Sequence, residues 1–252
     1  MAILDRFAPP PADLAPPAAG EVEVWTVPLD ADAAAVAAHA ALLSPDEAER
    51  AARFRFERHR RRYTVGRGAL RTLLGRYLGI EPRAVAFAYG EKGKPALATP
   101  PGRPPRLRFN LSNSDELALV AFCRDAELGA DLERLRPMPD GLAIAERFFS
   151  AAERRVLAAQ PPDERDLAFF RCWTRKEAYL KAVGEGITVR LDAFDVTLGP
   201  AEPPRMLAID GDPARGAAWA LVHVEPAAGY VGALALPARP QGWRLTGRHW
   251  QG

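Results

Sequence analysis

Ser150-Ala151-Ala152-Glu153 repeats, 106 positions later (150 − 44), the grammar of Ser44-Pro45-Asp46-Glu47, and that repetition sets the expected fold. In each stretch a serine precedes a helical run and a glutamate follows three residues on, the signature of a capping box. Proline at the first helical position strengthens the earlier one. The helix opened by Ser44 is expected to run toward Leu78, with a break near Phe56, and to end at Gly79. The second helix carries Ala178, Tyr179 and Gly184, 109 positions (178 − 69) after Ala69, Leu70 and Gly75. Two offsets that agree within three residues predict an α+β chain of two similar, pseudo-twofold halves.

Period-two alternation places strands around these helices. Glu21 to Leu29 reads as the first strand, and 84–97 as a short strand and turn. Leu107 to Leu111 and Leu117 to Phe122 read as a hairpin around Ser112-Asn113-Ser114-Asp115, and Leu128 to Leu135 as another strand. Further strands are expected near 194–198, 205–210, 217–225 and 229–236. Residues 1–20 hold five prolines and read as a disordered lead-in; 21–126 and 127–252 are the two expected subdomains, and Pro100 to Pro105 is a Pro-rich linker.

The composition restricts the functions open to such a chain. Its 252 residues are 48% hydrophobic and 26% charged, and 34 Lys+Arg against 32 Asp+Glu leave a net charge of +2. This is the profile of a globular protein rather than of a disordered or disulfide-stapled one. Near-neutral charge argues against a dedicated nucleic-acid binder. No apolar run approaches the roughly 20 residues that span a bilayer, and no secretory leader pattern opens the chain. Cys123 and Cys172 lie in apolar segments, which fits unpaired thiols and a cytoplasmic setting.

Three segments can carry chemistry. In Leu128-Gly129-Ala130-Asp131-Leu132-Glu133, alternation puts Asp131 and Glu133 on one strand face, about 7 Å apart, and Leu132 on the other. Two such carboxylates can share a hard divalent cation such as Mg²⁺. The same pattern also describes a strand with one solvated face. In Trp173-Thr174-Arg175-Lys176-Glu177-Ala178-Tyr179-Leu180-Lys181-Ala182-Val183-Gly184-Glu185-Gly186, the residues Trp173, Glu177, Lys181 and Gly184 share a helical face. A surface Glu–Lys pair beside a core Trp accounts for part of this, but not for Arg175, Lys176 and the closing Gly-x-Gly. Third, Arg50 to Arg76 contains ten arginines and one acidic residue, Glu57. Most of these arginines read as a solvated face, yet so dense a run can hold phosphates through guanidinium forks. Phe54, Phe56 and Tyr63 in this run read as core rather than as stacking platforms. No P-loop, zinc spacing or nucleophile elbow occurs, and the four histidines are scattered.

Together these segments resemble the 4′-phosphopantetheinyl transferase superfamily, in particular its larger, surfactin-synthetase-activating type. Gly129-Ala130-Asp131-Leu132-Glu133 is similar to the family's Gly-Ile-Asp-Ile-Glu, and Trp173, Lys176, Glu177, Ala178 and Lys181 match its Trp-x-x-Lys-Glu-Ala-x-x-Lys. Arg147-Phe148-Phe149-Ser150-x-x-Glu153 lies between them; Gly93-Lys94-Pro95 and Phe109-Asn110-Leu111-Ser112-x-Ser114 lie upstream, in the family's order. The resemblance covers roughly residues 40–200. It implies transfer of the phosphopantetheine arm of coenzyme A to a serine of an apo acyl or peptidyl carrier protein of polyketide, nonribosomal-peptide or fatty-acid synthesis, with release of adenosine 3′,5′-bisphosphate.

The implied site lies between the halves. Asp131, Glu133 and Glu177 would hold Mg²⁺, Glu177 would take the proton of the incoming serine, and Lys181, with Lys176 as a second candidate, would meet the phosphates. Arg62 matches the family's arginine on the adenosine 3′-phosphate and Arg50 a lysine nearby. Lys94 would meet the adenine or phosphate end, and Ser112 the 3′-phosphate loop. Two positions depart from the pattern. Asn113 stands where the loop usually has histidine, so the 3′-phosphate contact is expected to be weaker unless an arginine of the 50–76 run compensates. Glu47 stands where some relatives carry a basic residue. The carrier is expected to dock near Leu135 to Phe149 through Met138, Leu142 and Ile144, residues whose spacing equally fits burial in the protein's own core. A monomer is expected, since two paired halves build a whole cleft. The rival functions are a basic nucleotide- or RNA-binding module without catalysis and an inactive homologue acting as scaffold.

Overall fold

The structure is a computed structural model that describes residues 3–11, 13–98, 106–184, 190–200 and 202–251. The Pro100 to Pro105 linker and the glycine at Gly186 lie outside the described residues.

The two capping boxes form as expected and organise the two halves alike. Ser44 opens α2 (Pro45–Ala52), following a short α1 (Ala33–Ala40) that the sequence reading did not anticipate. After Phe56 comes α3 (Glu57–Leu78), which ends on Gly79 at φ +65°. In the second half α4 (Gly141–Phe148) precedes α5 (Ala151–Ala158), opened by Ser150. Then α6 (Pro162–Val183) ends on Gly184 at φ +75°. Both long helices have 22 residues and both stop on a left-handed glycine. The structural counterpart of Gly184 is therefore Gly79 rather than Gly75, which lies inside α3.

The strands form two main sheets. One has the order β1 (Ile3–Leu4), β11 (Trp219–Val224), β12 (Tyr230–Pro237), β8 (Gly129–Arg134). The other has the order β2 (Phe7–Ala8), β13 (Arg244–His249), β3 (Glu21–Pro28), β7 (Leu117–Arg124), β6 (Leu107–Ser114). Two small hairpins complete the set: β4 (Phe87–Tyr89) with β5 (Pro95–Leu97), and β9 (Phe194–Val196) with β10 (Met206–Ile209).

Side-chain alternation makes each main sheet two-faced. Trp25, Val27, Val120 and Phe122 pack under α3. Val22, Val24, Leu119 and Ala121 from the same strands meet Ala130, Leu132, Val222 and Leu234 of the other sheet. Val231, Ala233 and Ala235 face α6. The layering is thus helix, sheet, sheet, helix, with Asp131 on the helix side of β8. Gly129 lets α6 cross that strand, because a Cβ there would stand 1.9 Å from the Ala178 carbonyl oxygen.

Two expectations are corrected, on residues 1–20 and on the hairpin turn. Residues 1–20 are not wholly a disordered lead-in: Ile3–Leu4 pair with His223–Val224, and Phe7–Ala8 with Gly247–Arg248. The halves divided near residue 126 exchange strands, since β1 joins the second half's sheet and β13 pairs in parallel with β3 of the first. The hairpin turn is Asp115–Glu116 alone, with Ser114 opposite Leu117, so Ser112 and Asn113 are strand residues and not loop residues. No described helix is long and apolar enough to cross a membrane.

Candidate active site

Edge strands β6 and β8 meet where the two sheets end together. Asn110, Ser112 and Ser114 project from alternate positions of β6 toward β8. The Asn110 side chain accepts from the Ala130 amide at 2.9 Å. Ser112 Oγ donates to Asp131 Oδ1 at 3.0 Å, and Ser114 Oγ to Glu133 Oε2 at 3.1 Å. The i,i+2 spacing of the serines thus mirrors that of the carboxylates, a pairing visible in the sequence only once the strands are known to be neighbours.

From α6, Lys181 Nζ reaches Asp131 Oδ1 at 2.6 Å and Ser112 Oγ at 2.9 Å. Asp131 is buried, and its second oxygen, Oδ2, has no hydrogen-bond partner. Glu177 lies one turn before Lys181 on the same face. Burial raises its carboxyl above the usual value, the nearby charge of Asp131 adds to that and Glu133 contributes less, while Lys181 pulls the other way. The three acids therefore converge electrostatically. They do not form a closed cage: among the described residues no group of three or more His, Cys, Asp or Glu is arranged to hold a metal. A cation that keeps several waters and binds through one or two carboxylates still fits, with the orphaned Asp131 Oδ2 as an available ligand.

Above this point opens a cleft of about 680 Å³, lined by Arg50, Arg62, Asn113, Glu133 and Arg136 among others. A neighbouring cavity of about 240 Å³ joins Lys94 to Glu177 and Lys181. Phe54 and Tyr63 line the cleft instead of entering the core, which corrects the core reading of those aromatics; Phe56 is exposed as well. Tyr89, which the sequence reading passed over, lies beside them. Arg62 is nearly buried and is gripped by Asp30 (2.7 and 2.8 Å) and by Asp115.

The remaining site residues divide. Lys94 Nζ bonds the Ala182 and Leu128 carbonyls and Glu127, at 3.1, 3.2 and 3.1 Å. It already ties the first half to the end of α6. Lys176 is corrected outright: it is fully buried, pairs with Glu153 at 2.8 Å and caps the Leu191 and Phe194 carbonyls. No phosphate can reach it. Arg175 points into the opposite side, to Thr197. Arg67 and Arg71 are likewise buried rather than solvated; both bind Glu47, whose partners are therefore internal. Cys123 and Cys172 are buried free thiols, as expected.

Comparison with known proteins now decides the family. The model described as "4′-phosphopantetheinyl transferase superfamily" matches residues 127–235, and that described as "4′-phosphopantetheinyl transferase, N-terminal" matches residues 28–124. The 4′-phosphopantetheinyl transferase HetI of Nostoc sp. is 42% identical over 226 residues, 88% of this chain and 92% of the relative. The chain belongs to the 4′-phosphopantetheinyl transferase superfamily. Within it, the transferase Sfp of Bacillus subtilis is 32% identical over 62% of this chain and 66% of that protein. Among solved structures, holo-[acyl-carrier-protein] synthase of Thermotoga maritima matches 45% of this chain and 63% of its own at a TM-score of 0.35 and 19% identity. As a phosphopantetheinyl transferase the protein is an enzyme, and the two family models meet where β7 gives way to β8, beside the carboxylates.

Proposed function

We propose that this phosphopantetheinyl transferase modifies apo carrier proteins through Asp131, Glu133, Glu177 and Lys181, with Mg²⁺ as its metal. The observation that carries the reading is the buried Asp131, its Oδ2 unpartnered and its Oδ1 held by Lys181, beside a Glu177 whose carboxyl is raised by burial and by Asp131. A divalent cation bound there would neutralise charge on the pyrophosphate oxygens of coenzyme A. Among protein groups, Glu177 takes the proton from the carrier serine, directly or through water, and its raised pKa brings it nearer the operating pH of a general base. The serine oxygen forms its bond to the phosphorus bearing the pantetheine arm as the bond from that phosphorus to adenosine 3′,5′-bisphosphate breaks. Lys181 exchanges Asp131 for the phosphate oxygens, and Ser112 keeps Asp131 oriented.

Arg50, Arg62 and Asn113 form the wall for the adenosine end, and Lys94 acts by holding α6 rather than by meeting a phosphate. The carrier docks on α4, where Leu142 and Phe148 are exposed, whereas Met138 and Ile144 rest against the protein's own core. Arg147, in the last turn of α4, would meet an acidic carrier helix there. The carriers are those of polyketide, nonribosomal-peptide or fatty-acid synthesis, met in the cytoplasm by a monomer. Intact-mass analysis of apo carrier protein with coenzyme A and Mg²⁺ tests this directly: a gain of one phosphopantetheine is expected, and no gain on any carrier class would overturn it. A binding module built on the arginine run is disfavoured, because Arg62, Arg67 and Arg71 are spent on internal carboxylates.

A further inference from the structure

The cleft is basic by count but nearly neutral by pairing. Of its guanidinium groups, Arg67 is bound by Glu47, Arg134 by Asp115 and Glu116, and Arg136 by Glu133. Arg62, the most deeply set toward the turn, is bound on two sides by Asp30 and Asp115, with Glu116 at 4.0 Å. Both aspartates are held below the usual carboxylate range, first by their hydrogen bonds to Arg62, so they stay ionised and stay on it. Among the described residues Arg50 alone of the cleft arginines has no carboxylate partner; it lies over the Tyr63 ring at 5.7 Å.

Coenzyme A presents two separate anionic points, a pyrophosphate and a ribose 3′-phosphate. If the adenosine end lies along the wall of Arg50, Arg62 and Asn113, as the proposed function has it, the 3′-phosphate would meet Arg62. To bind there it must either displace an aspartate from Arg62 or sit beside two like charges, and Asn113 brings no charge to offset them. We propose that Asp30 and Asp115 set nucleotide specificity in this enzyme: they neutralise Arg62 in advance, so coenzyme A and 3′-dephospho-coenzyme A are used with similar efficiency. The inference rests on the transferase reading and adds to it a substrate permissiveness written into two acidic residues.

The test is the ratio of kcat/KM for coenzyme A to that for 3′-dephospho-coenzyme A, in the native enzyme, Asp115→Asn and Asp30→Asn. Asparagine tolerates the left-handed conformation that Asp115 adopts (φ +50°), so the turn survives the change. The native ratio should be below about ten, and each variant should raise it about three- to tenfold by releasing Arg62 for the phosphate. A native ratio of about a hundred or more, or a ratio unmoved in both variants, overturns the proposal. Calorimetric binding of adenosine 3′,5′-bisphosphate against adenosine 5′-monophosphate gives the same ratio without any carrier. If no carrier is modified, the transferase reading fails, and the binding ratio still decides the role of the two aspartates.

Discussion

The two halves share one device and use it differently. Under each capping box the glutamate turns inward and binds a base on the long helix that follows. Glu47 receives Arg67 at 2.9 Å and Arg71 at 2.6 Å. Glu153 receives Lys176 at 2.8 Å and the Val196 amide at 2.8 Å. Since α3 and α6 begin at Glu57 and Pro162 and have equal length, Arg71 and Lys176 occupy the same helical position, and so do Thr72 and Glu177. The buried pair is scaffold in both halves; one step further along the helix, scaffold in the first half becomes chemistry in the second. Thr72 merely bonds the Gly68 carbonyl of its own helix, whereas Glu177 lies within electrostatic reach of Asp131. A duplicated frame therefore does not duplicate a site, because the site also needs the carboxylates of β8.

The sharpest way to break this comparison is to change the matched positions. Glu177→Gln should lower kcat by at least about a hundredfold while circular dichroism and the melting temperature stay near native. Thr72→Val should leave kcat within about twofold, since it alters a hydroxyl bonded only within α3. Equal damage from both would mean that α3 shares the chemistry.

Next in size are the buried pairs. Lys176→Met leaves Glu153 ionised or forced to protonate in the core, and should cost about 3–5 kcal/mol in urea unfolding without raising KM for coenzyme A. Combining it with Glu153→Leu should recover much of the loss, because the uncompensated charge is gone. A selective rise in KM would instead return Lys176 to the phosphate role that its place in the sequence motif suggests.

The pairs should also respond oppositely to pH. Burial pushes Glu47 up, but Arg71 and Arg67 outweigh it and its carboxyl ends below the usual value. Its contribution is present above the unfolded-state value near about pH 4 and is lost as pH falls through the folded value. Burial pushes Glu153 up by more than Lys176 restores, so its carboxyl ends above the usual value. Its contribution is fully present below about pH 4 and is lost as pH rises through the folded value. The deficit of Glu47→Gln relative to native should therefore shrink as pH is lowered, and that of Glu153→Gln as pH is raised. Urea midpoints between about pH 3 and pH 6 measure both slopes, and slopes of the same sign would contradict the contrast.

What the sequence made legible was local. Ser44, Glu47, Ser150, Glu153, Gly79 and Gly184 announce their helices because caps are built from residues three or four apart. Asp131 and Glu133 announce a face because strand alternation is strict. Lys181 was legible on the helical face it shares with Glu177, whereas Lys176 stayed a second candidate because only the packing of α6 against its sheet shows that it turns inward to Glu153. Asp30 and Asp115 went unread because they meet Arg62 across 32 and 53 positions (62 − 30, 115 − 62), and Ile3–Leu4 because a two-residue strand has no periodicity to detect.

The smallest expected effect concerns the point where the halves are fastened. Lys94, in the first half, donates to the Leu128 carbonyl at the entrance of β8 and to the Ala182 carbonyl in the last turn of α6. A cation there satisfies orphan carbonyls and complements the negative end of the helix. Lys94→Met keeps the aliphatic stem and removes only the charge and donors, so stability should fall by about 1–2 kcal/mol. Because Lys181 sits in that same last turn, kcat should fall by about threefold to tenfold while KM for coenzyme A changes little. A phosphate-binding lysine would behave the other way, with KM rising steeply with salt and stability unchanged. The split between KM and kcat thus distinguishes a fastening between halves from a contact with the nucleotide, at a lysine that lines the same cavity as Glu177 and Lys181.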